Sequence, residues 1–315
     1  MNIRYVLQRL LFALFVVIGV TFVAFMIIQL VPGDPARVSL GVQATDELVE
    51  ARRERLGLNR PVLEQYGSWV VNLSQGNLGY SLITGQPITP QITQRLPVTL
   101  QLAGLSVVIG MMIAFPLGII SAMRPGSITD LIASFVSQIG IAVPDFWMGI
   151  LLVLLFSTTL GVLPPSGYTP ITRDFGDWLS HMILPAVTAG MISGAIQTRF
   201  VRSAMLEVLG QTYIQTARAK GLRERTVVTR HALRNALITI VTIIGLQMTA
   251  LLSSVVVIEI VFSLPGLGQL ALDAVLDRDY SLLQGTVFVI AVLVTFINLL
   301  VDMLYFLLDP RIEYA

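Results

Sequence analysis

Six apolar runs of membrane-spanning length leave this chain few folds to choose from. They lie at about Leu10–Leu30, Thr99–Met123, within Leu131–Leu160, Met182–Phe200, Leu237–Phe262 and Leu283–Leu308. Roughly 20 apolar residues cross about 30 Å of hydrocarbon as a helix. In lipid every backbone amide and carbonyl must find its partner within the protein, so such runs become helices. The expectation is an all-α integral membrane protein of six transmembrane helices, with residues 1–315 forming a single transmembrane domain. Composition agrees: 55% of residues are apolar, mean hydropathy is +0.79, and 12% are charged. Soluble domains carry about 25% charged residues.

An even number of spans puts both termini on one side. Arg4, Arg9, Arg124, Arg311 and the basic stretch near residues 199–234 then share that side. The opposite side receives Arg173 with Asp174 and Asp177, and Asp273, Asp277, Arg278 and Asp279. Basic loops favour the cytoplasm, so both termini are expected there. The apolar run after Arg4 and Arg9 continues to Val31 without a small-residue cleavage site, so a retained first span is expected rather than a signal peptide.

Residues 31–97 do not fit short loops. Asp46–Tyr66 is an amphipathic helical pattern broken at Gly57 and Pro61, and Asn77–Pro90 is punctuated by Gly and Pro. Long segments translocate largely regardless of charge, so six arginines do not prevent an external location. An external insertion between the first and second helices is expected, as a lid or as a contact for an external partner.

The third run is too long for one straight span. Ser127–Leu160 would measure about 50 Å as a helix, and Gly140 and Pro144 offer a break. Asp145 follows directly, and a carboxylate at membrane depth costs about 2.5–3.5 kcal/mol or more. Two readings stand. Asp145 lines a polar pathway and meets a cationic group, or it caps the next half-helix by accepting from free amides. Gln138, Gln197, Gln247 and Asn298 are expected as interhelical hydrogen-bond partners, with Glu259 and Asp302 near water at span ends. The Gly190–Gly194 spacing permits close helix packing.

The most distinctive polar stretch is Tyr213–Leu237. Eight of the chain's 20 Lys and Arg lie between Arg199 and Arg234, opposed only by Glu207 and Glu224. Tyr213, Ile214 and Ala217 sit at helical spacing, Gly221 interrupts, and Val227, Val228, Ala232 and Leu233 resume the period. A helix, a turn at Gly221 and a second helix are expected. The stretch is either a solvated loop that sets topology or a structured docking element for a cytoplasmic partner.

Much chemistry is excluded. Cysteine is absent, so there are no disulfides, thiolate metal sites or cysteine nucleophile. No P-loop sequence is present, so the chain does not bind ATP in that manner. His181 and His231, the two histidines, fall on opposite sides of the expected membrane, which argues against a shared metal site. The net charge of +1, with basic residues gathered beside the apolar runs, gives no sign of nucleic acid as a partner. Neither a repeat between the halves nor a set of midplane ionisable residues points to a self-sufficient secondary transporter, although that class stays open. A transport subunit powered from outside fits better.

The motifs then resemble one family over nearly the whole length. They are VPGDP at 31–35, LGLNRPVLEQY at 56–66, GNLGYS at 76–81, RLPVTLQL at 95–102 and HMILPA at 181–186. RSAMLEVLGQTYIQTARAKGL at 202–222, HALRNAL at 231–237, VFSLPGLGQL at 261–270, DRDY at 277–280 and DPRI at 309–312 follow. The chain is similar to the permease subunit of a bacterial ABC importer of the dipeptide, oligopeptide and nickel type. The resemblance implies the type I importer permease fold in the bacterial inner membrane, with ATP bound by partner subunits and no cofactor on this chain. It implies a second homologous permease, two ATP-binding subunits, a periplasmic or lipid-anchored substrate-binding protein, and surrounding lipid. Peptide is the most frequent solute in that family, with nickel and glutathione as alternatives. The family's E-A-A-x-x-x-G element, a coupling helix seated in a groove of the ATPase, falls within the loop at 202–236. It corresponds to Gln215, Thr216, Ala217 and Gly221, with Glu and the first Ala replaced. Tyr213, Ala219, Lys220 and Leu222 complete the implied coupling surface. A small residue at 217 suits close seating, and Gly221 suits a sharp turn. The family's proline after Arg-Asp-Tyr is Ser281 here.

Overall fold

The computed structural model describes residues 3–30, 34–40 and 44–308. The described residues are helices, turns and loops, with one isolated bridge pairing Tyr80 and Pro87. The first three residues of VPGDP and the whole of DPRI lie outside them. Among the described residues, five helices are long and apolar enough to cross a membrane, and a bent pair raises the number to six. The chain divides into two compact units, one of Ile3–Val98 with Pro265–Phe296 and one centred on Thr99–Leu264 with the chain from Ile297.

The first unit starts with α1 (Ile3–Leu30), followed by α2 (Pro35–Leu40), α3 (Asp46–Leu56) and α4 (Val62–Ser74). The Thr45 hydroxyl accepts from the Leu48 amide to start α3, and Gly57, in the left-handed region, ends it. Pro61 then precedes α4. The expected breaks at Gly57 and Pro61 are thus where one helix stops and the next begins. Aromatic rings tie α4 to its neighbours: Tyr66 meets Phe22 edge-on at 5.3 Å and Phe25 at 5.5 Å, and Trp69 meets Phe288 at 6.0 Å. Each such pair adds about 0.5–1.5 kcal/mol beyond area burial. A second core joins the start of α5 (Ile88–Met123), α12 (Leu267–Leu276) and α13 (Tyr280–Leu308) through Ile88, Ile92, Leu267, Leu270, Ala274 and Leu282. Buried Asp279 accepts from the Ser81 hydroxyl and from the Leu82 and Leu282 amides, pinning the 77–87 turn to the start of α13.

The second unit is built around α8 (Phe175–Leu209), which continues through Pro185. Its most apolar window is 56% buried, against 6% for α13, so α8 is the hub of the bundle. Small residues bring other helices close to it. A Cβ on Gly194 would lie 3.0 Å from the Gly110 carbonyl of α5, and one on Gly190 would lie 2.6 Å from Ile109 Cγ2. The Gly190–Gly194 pair is therefore a close helix crossing, as its spacing suggests. α6 (Ile128–Ala142) makes a similar approach, with the Ser137 hydroxyl donating to the Ala195 carbonyl. The unit also holds α7 (Asp145–Leu152), α9 (Thr212–Ala219), α10 (Glu224–Thr226) and α11 (Leu233–Val261). π-helical turns continue α7 at Val153–Thr159 and link α10 to α11 at Val227–Ala232.

Several expectations change in the folded chain. The second span does not begin at Thr99: α5 starts at Ile88 and runs 36 residues, about 54 Å at 1.5 Å per residue. Pro90 falls in its first turn, where the missing N–H costs nothing. The third run breaks between Ala142 and Asp145, and its halves meet at 105°. Glu259 is not near water. It is fully buried and accepts a 2.5 Å hydrogen bond from the Thr99 hydroxyl, as a buried carboxylate requires. Asn298 does bridge helices, accepting from Thr249 at 3.0 Å. Gln197 instead donates within its own helix to Ser193 at 2.9 Å, and Gln138 is exposed.

Candidate functional site

The basic stretch folds as a helix, a turn and a second helix. α8 ends at Leu209, Gly210 caps it, and α9 starts two residues later. Ile214 and Ala217 are one turn apart and both buried, 0% and 8% exposed. They join a core with Met205 of α8 and Val227, Val228 and Ala232 of the following π turn. Polar bonds close the hairpin. The Asn235 amide donates to the Tyr213 hydroxyl at 2.6 Å. Arg218 makes a forked pair with Glu224 at 3.1 and 2.7 Å. Hydrogen bonding to Glu224 raises the Arg218 pKa above its already high ordinary value, so this cation holds its charge throughout the working pH range.

Gly221 turns the chain at φ +81°, with its N–H on the Arg218 carbonyl at 2.9 Å. A residue with a side chain pays about 1–2 kcal/mol to adopt that region, and glycine does not. The result is a helix fixed on one face and bare on the other. Gln215, Thr216, Ala219, Lys220 and Leu222 are exposed, and Tyr213 is 42% exposed despite its hydrogen bond.

The structure thus gives the named residues different positions. Ala217 faces the chain's own core, so its small size seats α9 on Met205 and the π turn. Gln215, Thr216, Ala219, Lys220 and Leu222 form the outward face. Ile214, Val228, Arg218, Glu224 and Asn235 hold that face in place. The helical period made Ile214 and Val228 visible in the sequence as an apolar stripe. The Tyr213–Asn235 and Arg218–Glu224 pairs, 22 and six residues apart, carry no local pattern that announces them.

One further tie lies at the same unit's α5–α6 turn. Asp130, 5% exposed, accepts from Arg202 Nε at 2.7 Å and Arg202 Nη2 at 2.9 Å, from the Gly126 amide at 2.8 Å and from the Ser121 hydroxyl. Arg202 lies about two turns before the end of α8, which α9 follows. The pair thereby links the turn to the helix that carries the hairpin.

Asp145 occupies the first turn of α7, after Pro144. No side-chain hydrogen bond caps that helix, so the capping reading lacks its bond. The half-buried carboxylate instead lines a cavity of about 260 Å³ with Ser193, Gln247, Leu251 and Ser254. The Ser254 hydroxyl is buried there without a partner. Among the described residues, no group of three His, Cys, Asp or Glu gathers to hold a metal ion.

Comparison with known proteins places these features. Residues 114–314 match the model of the binding-protein-dependent transport system inner membrane component, and residues 2–103 match that family's N-terminal model. The chain is 40% identical over 313 residues to the oligopeptide transport system permease protein AppB of Bacillus subtilis, covering 98% of this chain and 99% of that one. It is 40% identical to the di/tripeptide transport system permease protein DppB of Pseudomonas aeruginosa, covering 94% of each. The fold is similar to a chain of the MetNI methionine ABC transporter in inward-facing form, with a TM-score of 0.57 at 19% identity over 70% of this chain and 96% of that one. With matched models across its length and a helical bundle of importer type, the chain belongs to the family of inner-membrane components of binding-protein-dependent transport systems.

Proposed function

We propose that this chain is one of two permease subunits of an ATP-driven importer and forms, with its homologous partner, a pathway for short peptides. The observation that carries the reading is the exposed outer face of α9 on an internally anchored hairpin. A docking helix has to be rigid toward its own subunit and open toward the motor, and α9 is both. ATP-binding subunits seat on Gln215, Thr216, Ala219, Lys220 and Leu222. Their movement passes through Ile214 and Ala217 into the ends of α8 and α11, a rigid-body switch between two packed states. ATP is bound by those subunits, and this chain needs no cofactor.

The basic stretch at 199–234 and both termini face the cytoplasm, which leaves the α2–α4 segment outside, where a substrate-binding protein delivers solute. Peptide is the solute that the curated relatives' names support. Asp145 serves the pathway by offering a carboxylate to the cationic side chain of a passing peptide, with Gln247 and Ser254 as polar neighbours.

The test is uptake by the complete complex in proteoliposomes. Peptide accumulation is expected only with ATP and the binding protein, and an ion gradient alone gives none. Asp145→Asn should slow uptake of peptides with cationic side chains more than of neutral ones. Accumulation driven by an ion gradient without ATP contradicts the import reading, and equal loss for all peptides contradicts the role given to Asp145.

A further inference from the structure

A cavity of about 470 Å³ in the unit that contains α1–α4 is formed by α1, α3, α4, the 77–82 turn and the start of α13. That volume lies within the range of small-molecule sites, about 300–1,000 Å³. Its charge is one-sided. Arg55 and Arg60 are on its wall, and no Asp or Glu is among its lining residues. Among the described residues, neither guanidinium makes an ion pair; the ion pairs of this segment use Arg37 and Arg53. Gln284 adds a second sign of a missing ligand. Its Nε2 is buried with no hydrogen-bond partner, and an orphaned donor costs about 1–3 kcal/mol. Trp69 and Asn72 supply an aromatic surface and a side-chain amide.

Two cationic forks, an unfilled amide donor and an aromatic wall suit a small molecule with a carboxylate at one end and apolar bulk beside it. We propose that this cavity is a binding site for the C-terminal carboxylate of a short peptide. Arg55 and Arg60 face the carboxylate, Gln284 donates to it or to the last carbonyl, and Trp69 packs against the final side chain. The site would hold solute on the external segment, apart from the cavity beside Asp145. The geometry stands without the transport reading, whereas the choice of peptide rests on it.

The experiment is equilibrium binding of alanyl-phenylalanine to the full chain in lipid nanodiscs, without ATP or partner subunits. Saturable binding is expected. It should weaken about tenfold or more for the C-terminal amide of the same dipeptide, and equally for the Arg55→Gln/Arg60→Gln double variant. Both arginines are exposed, so the double variant is expected to fold. Gln284→Leu, which removes an unpartnered donor, should weaken binding while leaving thermal stability equal or higher. Inorganic phosphate at equal concentration should not displace the dipeptide. Absence of saturable binding, equal affinity for the amide, unchanged affinity in either variant, or displacement by phosphate would each overturn the proposal. Because the readout needs no ATP, its failure is distinct from a failure of ATP-driven uptake.

Discussion

At position 221 the backbone requires φ +81°, and beyond the adjoining residues no atom lies within 4 Å of where a side chain would begin. A substitution there is thus penalised by conformation alone, without a clash. Gly221→Asn should retain most uptake, because Asn adopts the left-handed region readily. Gly221→Val should lower uptake several-fold while the protein still inserts, because a β-branched residue there costs about 1–2 kcal/mol or more and tilts α9 to relieve it. Uptake assays with membrane-fraction immunoblots check both, and equal activity of the two variants would show that the turn geometry does not matter. The sequence already marked Gly221 by its interruption of a helical period. It did not mark which way Ala217 faces. Small size suits either side of a helix, and only the packing of Ile214 on Met205 and Val228 decides it. Glu259 departs from expectation for a related reason: position near a span end predicts water, while the Thr99 hydroxyl 160 residues earlier in the chain supplies a buried partner instead.

Among the elements, the crossing of α5 and α8 is the tightest contact that sequence spacing alone could suggest. Gly194→Val would place carbon 3.0 Å from the Gly110 carbonyl, a backbone atom that cannot swing away. Overpacking of this kind costs about 1–3 kcal/mol. Gly194→Val should therefore lower the thermal midpoint in detergent, whereas Gly104→Ala, in α5 with nothing within 4 Å, should not. Equal midpoints for the two would mean that the helices do not approach as described. Span existence was legible because apolar length is a one-dimensional signal. The break before Asp145 was legible because proline marks it. The early start of α5 was hidden, since Pro90 and Pro97 read as loop residues, yet the helix accommodates both.

For the whole molecule, apolar runs dictated a helical membrane protein, and residues 31–97 stood out by their charge. That Pro265–Phe296 completes the same unit was not legible, because Asp279 and Ser81 meet across 198 residues. The proposed seating puts the motor on the outer face of α9 and leaves the inner face to this chain. The most direct measurement is site-directed cross-linking in the assembled complex, which suits a chain with no cysteine of its own. Thr216→Cys, on the exposed face, is predicted to form a cross-link to an ATP-binding subunit carrying a cysteine in its docking groove. Ala217→Cys, 8% exposed and packed on this chain's core, is predicted to form none. A cross-link from Ala217→Cys with none from Thr216→Cys would contradict seating of the motor on the outer face of α9.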